Sequence, residues 1–310
     1  MPSSDGASGS RCVRVRSAGV AGRPRAACKR RARLFAVLAL CAAALGCAAQ
    51  GAPQARKLIR AKDSPRVAQL VLEDLARHSS GLRYGADRIA AGFVRVTGAQ
   101  QEVDMRQVLK LLRSPKRGVP ELVISPMSFM AVVGTDGVCI ARDAELDQMK
   151  GMNLARLFPV VQAALAGQQG VAVGEFASTE AGGKPSVSIV MAAPAHYKGA
   201  VVGALVLGIP LWRLQQQLSK QLQMEFAGKT GAVIWVYVYR GDELHSHGTP
   251  PDLDKLVPSF AVRKAGLATS PGGFTGAIDQ YSFWYGYGVR PLRVLGPDIG
   301  AIIFRMEAQK

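Results

Sequence analysis

Apolar positions recur at three- and four-residue steps along a stretch that begins after Ser64-Pro65. Proline is favoured in the first turn of a helix, where its missing N–H would have no partner anyway. An apolar stripe with this period is typical of an amphipathic helix whose apolar side faces a core. Gly98 interrupts the stripe, and the pattern then resumes until Pro115. The sequence therefore predicts a long N-terminal helical region over residues 65–118.

Residues 129–210 have the shorter apolar runs that β-strands favour. The first two runs are joined by Thr-Asp-Gly at residues 135–137, and Asp-Gly between apolar runs is a strong hairpin signal. A helical stretch comes next, followed by three further apolar runs and the start of another helix. The stretch and the three runs lie at 159–167, 171–176, 187–194 and 200–211. Strands on either side of one helical connection predict an antiparallel sheet with helices on its face, which is an α+β fold.

Residues 232–306 repeat this order in a weaker form. A strand, a Gly-Asp turn and a second strand are followed by a short helical piece at 253–259 and three closing strands. We interpret them as a second, reduced copy of the same unit, with a shorter helical part. Two copies behind one helix predict an α+β protein in which the long N-terminal helix packs on one or two antiparallel sheets.

The first copy also contains short motifs in a particular order. They are the turn at 135–137, the Ala-Arg-Asp strand end at 141–143, Lys-Gly-Met at 150–152, the helix at 159–167 and a closing hairpin within 193–204. This order resembles the Cache family, the PAS-like sensory domains that stand outside the bacterial cytoplasmic membrane. The resemblance implies that the sheets are PAS-like, and with the second copy it implies a double-Cache arrangement.

The first 46 residues predict an export signal. A basic cluster at 29–33 precedes the apolar run at 34–46, which has the length of a signal-peptide core and is too short for a comfortable membrane span. The run ends in Ala-Leu-Gly before Cys47, and small residues before a cysteine resemble the bacterial lipobox. The resemblance implies that Cys47 is acylated and anchors the chain to a membrane. An ordinary signal peptide and an uncleaved anchor are the alternatives.

These features divide the chain into five parts. The parts are a lipoprotein-type signal peptide (1–46), a tether (47–64), the long helical region (65–118), a Cache-like sensor unit (119–226) and the second, reduced unit (227–310). The sequence contains no recognisable kinase, cyclase or methyl-accepting helix. We therefore expect a sensor that has no output domain of its own.

Composition and charge narrow the class of partner. The chain has 310 residues, of which 48% are hydrophobic and 20% charged, as in globular proteins. Nine basic residues and one acid among the first 46 account for +8 of the net charge of +17, which leaves +9 spread over the rest. No base-reading or base-stacking motif accompanies this charge, so we expect no nucleic acid as a partner. A mildly basic surface facing anionic lipid or cell wall explains it.

Candidates for catalysis are few. The sequence lacks GxSxG, HExxH and the glycine fingerprint of dinucleotide-binding enzymes, so we expect no enzyme activity and no cofactor. The one metal-like spacing is His245-x-His247, because residues i and i+2 of a strand point to the same face. A zinc site there would need a third ligand, with Asp242 and Glu243 as the local candidates. A solvated strand end is the preferred interpretation. His78, on the apolar side of the long helix, is interpreted as a core residue rather than a ligand.

Binding is better supported through the resemblance. A PAS-like domain holds a small ligand between its sheet and the helical connection that follows the second strand. Carried over residue by residue, this implies a pocket formed by Phe129, Arg142, Met152, Phe158, Phe176 and Met191. Arg142 is the most informative of them, because a partly buried guanidinium can hold a carboxylate through two parallel hydrogen bonds. A salt bridge from Arg142 to Asp143 or Asp147 is the open alternative.

The sequence thus predicts a Cache-type sensing or binding protein, lipid-anchored on the periplasmic side of a bacterial cell envelope. Its expected partners are a small ligand such as a carboxylate, the membrane, a signalling protein and, through the long helix, a second copy of the chain. Two alternatives stay open. One is an accessory or structural envelope lipoprotein that binds another protein, and the other is a periplasmic metal-dependent hydrolase that uses His245 and His247.

Overall fold

The computed structural model describes most of the chain from residue 64 onwards. The described residues are 56, 59, 64–95, 97–123, 128–144, 148–176, 185–230, 233–280 and 283–306. The predicted signal peptide and Cys47, the predicted acylation site, lie outside them. Among the described helices, none is both long enough and apolar enough to cross a bilayer.

Two helices form the N-terminal region. Helix α1 spans Ser64–Arg95 and α2 spans Ala99–Leu112. Between them Gly98 has a φ of 72°, a backbone conformation that residues with a Cβ avoid, so the helical path breaks where the apolar stripe is interrupted. The apolar stripe of α1 is buried along nearly its whole length, from Val67 to Ala90.

The first sheet follows these helices. Its elements are β1 (Phe129–Val133), β2 (Cys139–Arg142), α3 (Leu154–Leu157), α4 (Pro159–Leu165), β3 (Gly170–Phe176), β4 (Ser186–Tyr197) and β5 (Ala200–Pro210). The strands are arranged in the order β2-β1-β5-β4-β3, and all neighbours are antiparallel. The predicted hairpin turn has Gly137 at a φ of 81°, and Asn153 caps α3 by accepting a hydrogen bond from the Arg156 N–H.

Helix α5 (Leu211–Thr230) leads from the first sheet to the second. The second set of elements is β6 (Val233–Arg240), β7 (Glu243–His245), α6 (Pro251–Asp254), α7 (Phe260–Thr269), β8 (Phe274–Gln280), β9 (Phe283–Pro291) and β10 (Ile299–Met306). Its strand order, β7-β6-β10-β9-β8, is that of the first sheet. The predicted α+β fold, a long N-terminal helix on two antiparallel sheets, is confirmed.

The helical part of the second unit differs from the prediction. It contains helices of four and ten residues, against four and seven in the first unit, so the expectation of a shorter connection is wrong. The missing piece was α7, whose sequence FAVRKAGLAT has no clear apolar stripe. The structure shows why it forms: Ser259 caps it by accepting a hydrogen bond from the Val262 N–H. The domain boundary predicted at 226–227 falls inside α5.

One continuous core joins both sheets to the helices. Apolar residues of α1 and α5 pack on one face of each sheet, and successive strand residues point alternately towards and away from them. In β4, for example, Ile189 and Met191 face the helices, whereas Val190 and Ala192 face the other way. Each fully buried aliphatic side chain contributes about 1.5–3 kcal/mol to folding. The two faces turned away from α1 have separate clusters, and each is covered by the helical connection of its own unit.

Candidate ligand-binding site

Three of the predicted pocket residues meet on the face of the first sheet that is turned away from α1. Phe129 begins β1, Phe176 ends β3, and Phe158 lies between α3 and α4. The ring centroids of Phe129 and Phe176 are 4.9 Å apart, and those of Phe158 and Phe176 are 4.6 Å apart. The three rings, here called the phenylalanine cluster, lie between the sheet and the helical connection, where the resemblance implied a pocket.

Two glycines let these rings lie close to the sheet. A Cβ at Gly208 would be 1.9 Å from the ring of Phe129, and a Cβ at Gly174 would be 2.4 Å from the ring of Phe158. Real side chains do not tolerate such contacts, so each ring depends on bare backbone beneath it. The neighbouring positions on this face are also small, and Ala192 and Ala204 are fully buried. The rings of Phe129 and Phe158, which are 7% and 3% exposed, therefore pack directly on the main chain of the first sheet.

The strand register places Arg142 on the same face. Arg142 pairs with Ala131, which belongs to this side of the sheet, and the register shifts between Val132 and Val133. The guanidinium carbon of Arg142 is 5.6 Å from the centroid of the Phe129 ring, within the range of a cation–π contact. The side chain is 25% exposed, so Arg142 lies at the rim of the phenylalanine cluster.

Asp143 is held mainly by groups other than Arg142. Its carboxylate accepts a hydrogen bond of 3.1 Å from the Met130 N–H and pairs with Arg113. The Nε atom of Arg142 is 3.8 Å from Oδ1 of Asp143, which is too long for a hydrogen bond. Burial, and then the nearby charge of Arg142, lowers the pKa of Arg113. Of the two alternative partners for Arg142, Asp143 offers only a long ionic contact, and Asp147 lies outside the described residues.

The remaining two predicted residues lie elsewhere. Met191 is fully buried on the opposite face of β4 and belongs to the core around α1. Met152 is 37% exposed in the loop before α3. The alternation of side chains along β4 predicts this position, because Met191 is two residues after Ile189 and residues i and i+2 of a strand face the same side. The structure thus brings together four of the six, and their role in binding stays a prediction.

The corresponding face of the second sheet is filled by larger aromatic side chains. They are Trp235, Tyr237, Tyr239, Phe274, Tyr285, Tyr287 and Phe304. The ring of Phe304 contacts those of Tyr237 and Tyr287, with centroids 5.8 and 6.0 Å apart. The hydroxyl of Tyr237 donates a 2.8 Å hydrogen bond to Asp254 of α6. Burial, together with this hydrogen bond, raises the pKa of Tyr237.

Arg263 of α7 is a buried cation in this second cluster. It is 3% exposed, and its guanidinium carbon is 4.6 Å from the centroid of the Tyr239 ring. Its Nη1 and Nη2 atoms donate hydrogen bonds of 2.7 Å to the carbonyls of Pro258 and Gly241. Burial lowers the pKa of Arg263. Sequence reasoning missed this residue because it missed the helix that contains it.

The two candidate metal ligands are differently placed. Strand β7 ends at His245, so the alternation that would put both imidazoles on one face does not extend to His247. The backbone N–H of His247 donates to the side chain of Gln215, and its ring centroid is 5.2 Å from that of Trp212. Burial lowers the pKa of His245. In the part of the chain that the structure describes, no three His, Cys, Asp or Glu side chains come together as a metal site would require.

Comparisons by sequence return nothing. No protein-family model matches the chain, and no curated protein matches it.

Comparisons by structure return bacterial sensor domains. The sensor domain of the V. cholerae histidine kinase DctB is 14% identical, with a TM-score of 0.50 over 83% of this chain and 99% of that one. The ligand-binding domain of the Campylobacter jejuni chemoreceptor Tlp3, in complex with L-valine, is 10% identical, with a TM-score of 0.50 over 83% and 97%. A third match is an extracellular ligand-binding receptor from Desulfohalobium retbaense, at 10% identity and a TM-score of 0.46. The alignment covers 78% of this chain but only 39% of that receptor.

At these identities the likeness shows the fold and not the ligand. The first two structures match nearly their whole length, so the similarity extends over both sheets and the long helix. The chain therefore has the fold of Cache-type sensor domains, and the resemblance predicted from its sequence is confirmed.

Proposed function

We propose that the protein is a small-ligand-binding sensor of the Cache type. The observation that carries this proposal is the position of Arg142 at the rim of the phenylalanine cluster, on the covered face of the first sheet. A cation beside apolar rings suits a ligand with a charged end and an apolar body, because ligand sites combine apolar walls with a few placed polar groups. The proposed activity is binding without catalysis.

The proposed ligand is a small carboxylate. A guanidinium can donate two parallel hydrogen bonds to a carboxylate, which gives both strength and orientation. Asp143, the adjacent acid, accepts from the Met130 N–H and pairs with Arg113. The Tlp3 domain of the same fold was solved with L-valine, which also carries a carboxylate.

A thermal-shift screen of small carboxylates tests this proposal. A ligand that binds only the native state raises the melting temperature in proportion to ln(1 + [L]/Kd), and we expect at least one such ligand. Arg142→Met keeps the apolar stem and removes the charge, so it should abolish the shift. Arg156→Met, at an exposed position of α3, is the matched control and should leave the shift unchanged. A carboxylate that stabilises Arg142→Met as strongly as the parent protein would refute the role of Arg142.

The cellular setting is part of the proposal. We infer that Cys47 is acylated and holds the protein on the periplasmic side of a bacterial envelope, where a partner protein receives the signal. Labelling with a fatty-acid analogue should mark the parent chain and not Cys47→Ala. Should the carboxylate screen give no stabilisation while a specific envelope protein co-purifies with the chain, the accessory-lipoprotein alternative would replace the sensor.

A further inference from the structure

A groove lies between the N-terminal part of α1 and two loops of the second unit. Its volume is about 470 Å³. Helix α1 contributes Ala68 and Leu72, the loop between α7 and β8 contributes Pro271 and Gly272, and the connection from β9 to β10 contributes residues 290–294. None of these residues belongs to the proposed carboxylate site, which lies on the first sheet. The groove is therefore a separate place where a ligand can contact α1 and the second unit together.

Large aliphatic side chains of this groove are open to solvent. Leu72 is 53% exposed and Val294 is 42% exposed. Leu292, which also lines the groove, is only 2% exposed and belongs to the core that joins both sheets to the helices. Single exposed aliphatic residues are common on protein surfaces, but these two share one concave place with a buried third. An apolar chain that covers them removes their surface from water, which favours binding.

Two arginines place positive charge at the same groove. Arg290 donates a hydrogen bond to the Gly272 carbonyl, and Arg293 donates one of 3.1 Å to the Pro271 carbonyl. In the part of the chain that the structure describes, neither arginine pairs with a carboxylate, and no Asp or Glu lines the groove. The potential there is therefore positive and attracts anions.

The acid that follows Leu72 on α1 is bonded to other residues. The Glu73 carboxylate accepts hydrogen bonds of 2.9 Å from Arg66 and 2.8 Å from Gln69. Its charge is therefore matched on α1 itself, and the charges of Arg290 and Arg293 are left for a ligand to neutralise.

We propose that this groove binds a free amphiphilic carboxylate, a molecule with an apolar chain and one carboxylate head group. The chain lies against Leu72 and Val294, and the head group accepts hydrogen bonds from Arg290 and Arg293. A guanidinium has five N–H donors, so one bond to a main-chain carbonyl leaves others for a ligand. A fatty acid is the simplest such ligand, since a carboxylate matches the fork of a guanidinium.

Calorimetric titration of the full chain at neutral pH tests the proposal, with octanoate, acetate and 1-octanol as probes below the concentration at which octanoate forms micelles. Octanoate has both the chain and the head group, acetate has only the head group, and 1-octanol has only the chain. We expect octanoate to bind at least about tenfold more tightly than either, which is about 1.4 kcal/mol. Affinity for 1-octanol or for acetate equal to that for octanoate would overturn the proposal.

Variants of the two arginines make the test specific. Arg290→Gln combined with Arg293→Gln should weaken octanoate binding at least tenfold, whereas Arg83→Gln combined with Arg88→Gln removes the same charge from exposed positions of α1 and should not. Should the first double variant fail to fold, Arg293→Glu at its exposed position reverses one charge and should also weaken octanoate binding. Unchanged octanoate binding in these groove variants contradicts the proposal.

The same titration on Arg142→Met separates this groove from the proposed carboxylate site. Octanoate should bind Arg142→Met as it binds the parent chain, because the two places share no residue. Octanoate binding that disappears in Arg142→Met would locate the ligand in the first unit and refute the inference, whatever the outcome for small carboxylates there.

A variant of the apolar wall tests the role of the chain. Leu72→Gln keeps the size of the side chain but makes it polar, so it should weaken octanoate binding and leave acetate unaffected. Leu111→Gln, at a 42% exposed position of α2, is the matched control and should change neither. Octanoate binding that survives Leu72→Gln in full would show that the chain does not lie against α1.

Vesicles of phosphatidylglycerol distinguish a free amphiphile from a membrane surface. The parent chain and the Arg290→Gln, Arg293→Gln variant should co-sediment with such vesicles to the same extent, because the groove is proposed to take single molecules. Co-sedimentation that is lost with these arginines, in a chain that does not bind octanoate, would overturn the proposal in favour of membrane contact.

Discussion

The two sheet units share one strand order but differ in what covers the face turned away from α1. In the first unit this face has small residues and the phenylalanine cluster, with Arg142 at its rim. In the second unit the same region is filled by tyrosine, tryptophan and phenylalanine, with Arg263 buried among them. We therefore expect the size of the side chains on the covered face, and not the topology of the sheet, to decide where a ligand can bind.

The two arginines express this difference most directly. Each lies over an aromatic ring, but Nη1 and Nη2 of Arg263 donate to two main-chain carbonyls, whereas the side chain of Arg142 is 25% exposed. A guanidinium whose donors bond its own backbone holds a loop in place. A guanidinium at the rim of an apolar surface is positioned to meet a ligand. We therefore assign Arg263 a structural role and propose Arg142 for binding.

The largest difference between the units should appear when one aromatic ring is removed from each. Phe304→Ala removes a fully buried ring that contacts two tyrosines, and we expect it to lower the free energy of unfolding by about 4 kcal/mol. Phe176→Ala removes a half-buried ring and should cost about 2 kcal/mol or less. Urea unfolding of both variants measures the two costs. Equal losses would mean that the phenylalanine cluster is as much a packing core as its counterpart.

The arginines should give a smaller difference in the same direction. Arg263→Met leaves the carbonyls of Pro258 and Gly241 unpaired in a buried place, so it should cost about 2–3 kcal/mol. Arg142→Met should cost less than about 1 kcal/mol, because its side chain is partly exposed. The same unfolding measurements compare the two. A larger cost for Arg142→Met would show that it is structural and would weaken the proposed carboxylate site.

Local signals made the element order of the fold predictable. The Ser64-Pro65 start, the interruption at Gly98 and the turn at residues 135–137 each act within a few residues, and the structure has a helix start, a helix break and a hairpin there. Helix α7 was missed because its sequence has no such local signal. Its residues have no stripe of their own, and it is held by a cap and by Arg263 reaching back to Gly241.

The candidate site was less predictable because it depends on register and on distant contacts. Four of the six residues lie on one face of the first sheet, but Met191 lies on the other. The alternation of side chains along β4 was sufficient to predict the position of Met191. Asp143 forms an ion pair with Arg113, which lies 30 residues earlier in the chain, and no local sequence pattern predicts such a pair. His78 lines a cleft together with Arg213 and Lys220 of α5, and only the structure reveals this because the two helices are distant in sequence.

His78 beside the first unit and His245 in the second should make the free energy of unfolding depend on pH. We expect this effect to be smaller than those of the aromatic and arginine variants. Burial lowers the pKa of both His78 and His245 below the ordinary value of 6.5. The unfolded chain therefore takes up protons that the folded chain does not, and stability should be constant above that value and fall as the pH drops below it. Each histidine contributes at most about 1.4 kcal/mol per pH unit.

Unfolding measured from about pH 8 to pH 5 tests this expectation. His78→Asn should reduce the slope more than His245→Asn, because the ring of His78 is the more deeply buried. His196→Asn, at an exposed position of β4, is the control and should leave the slope as it is. The same slope in His78→Asn as in the parent protein would mean that His78 does not contribute to the pH dependence.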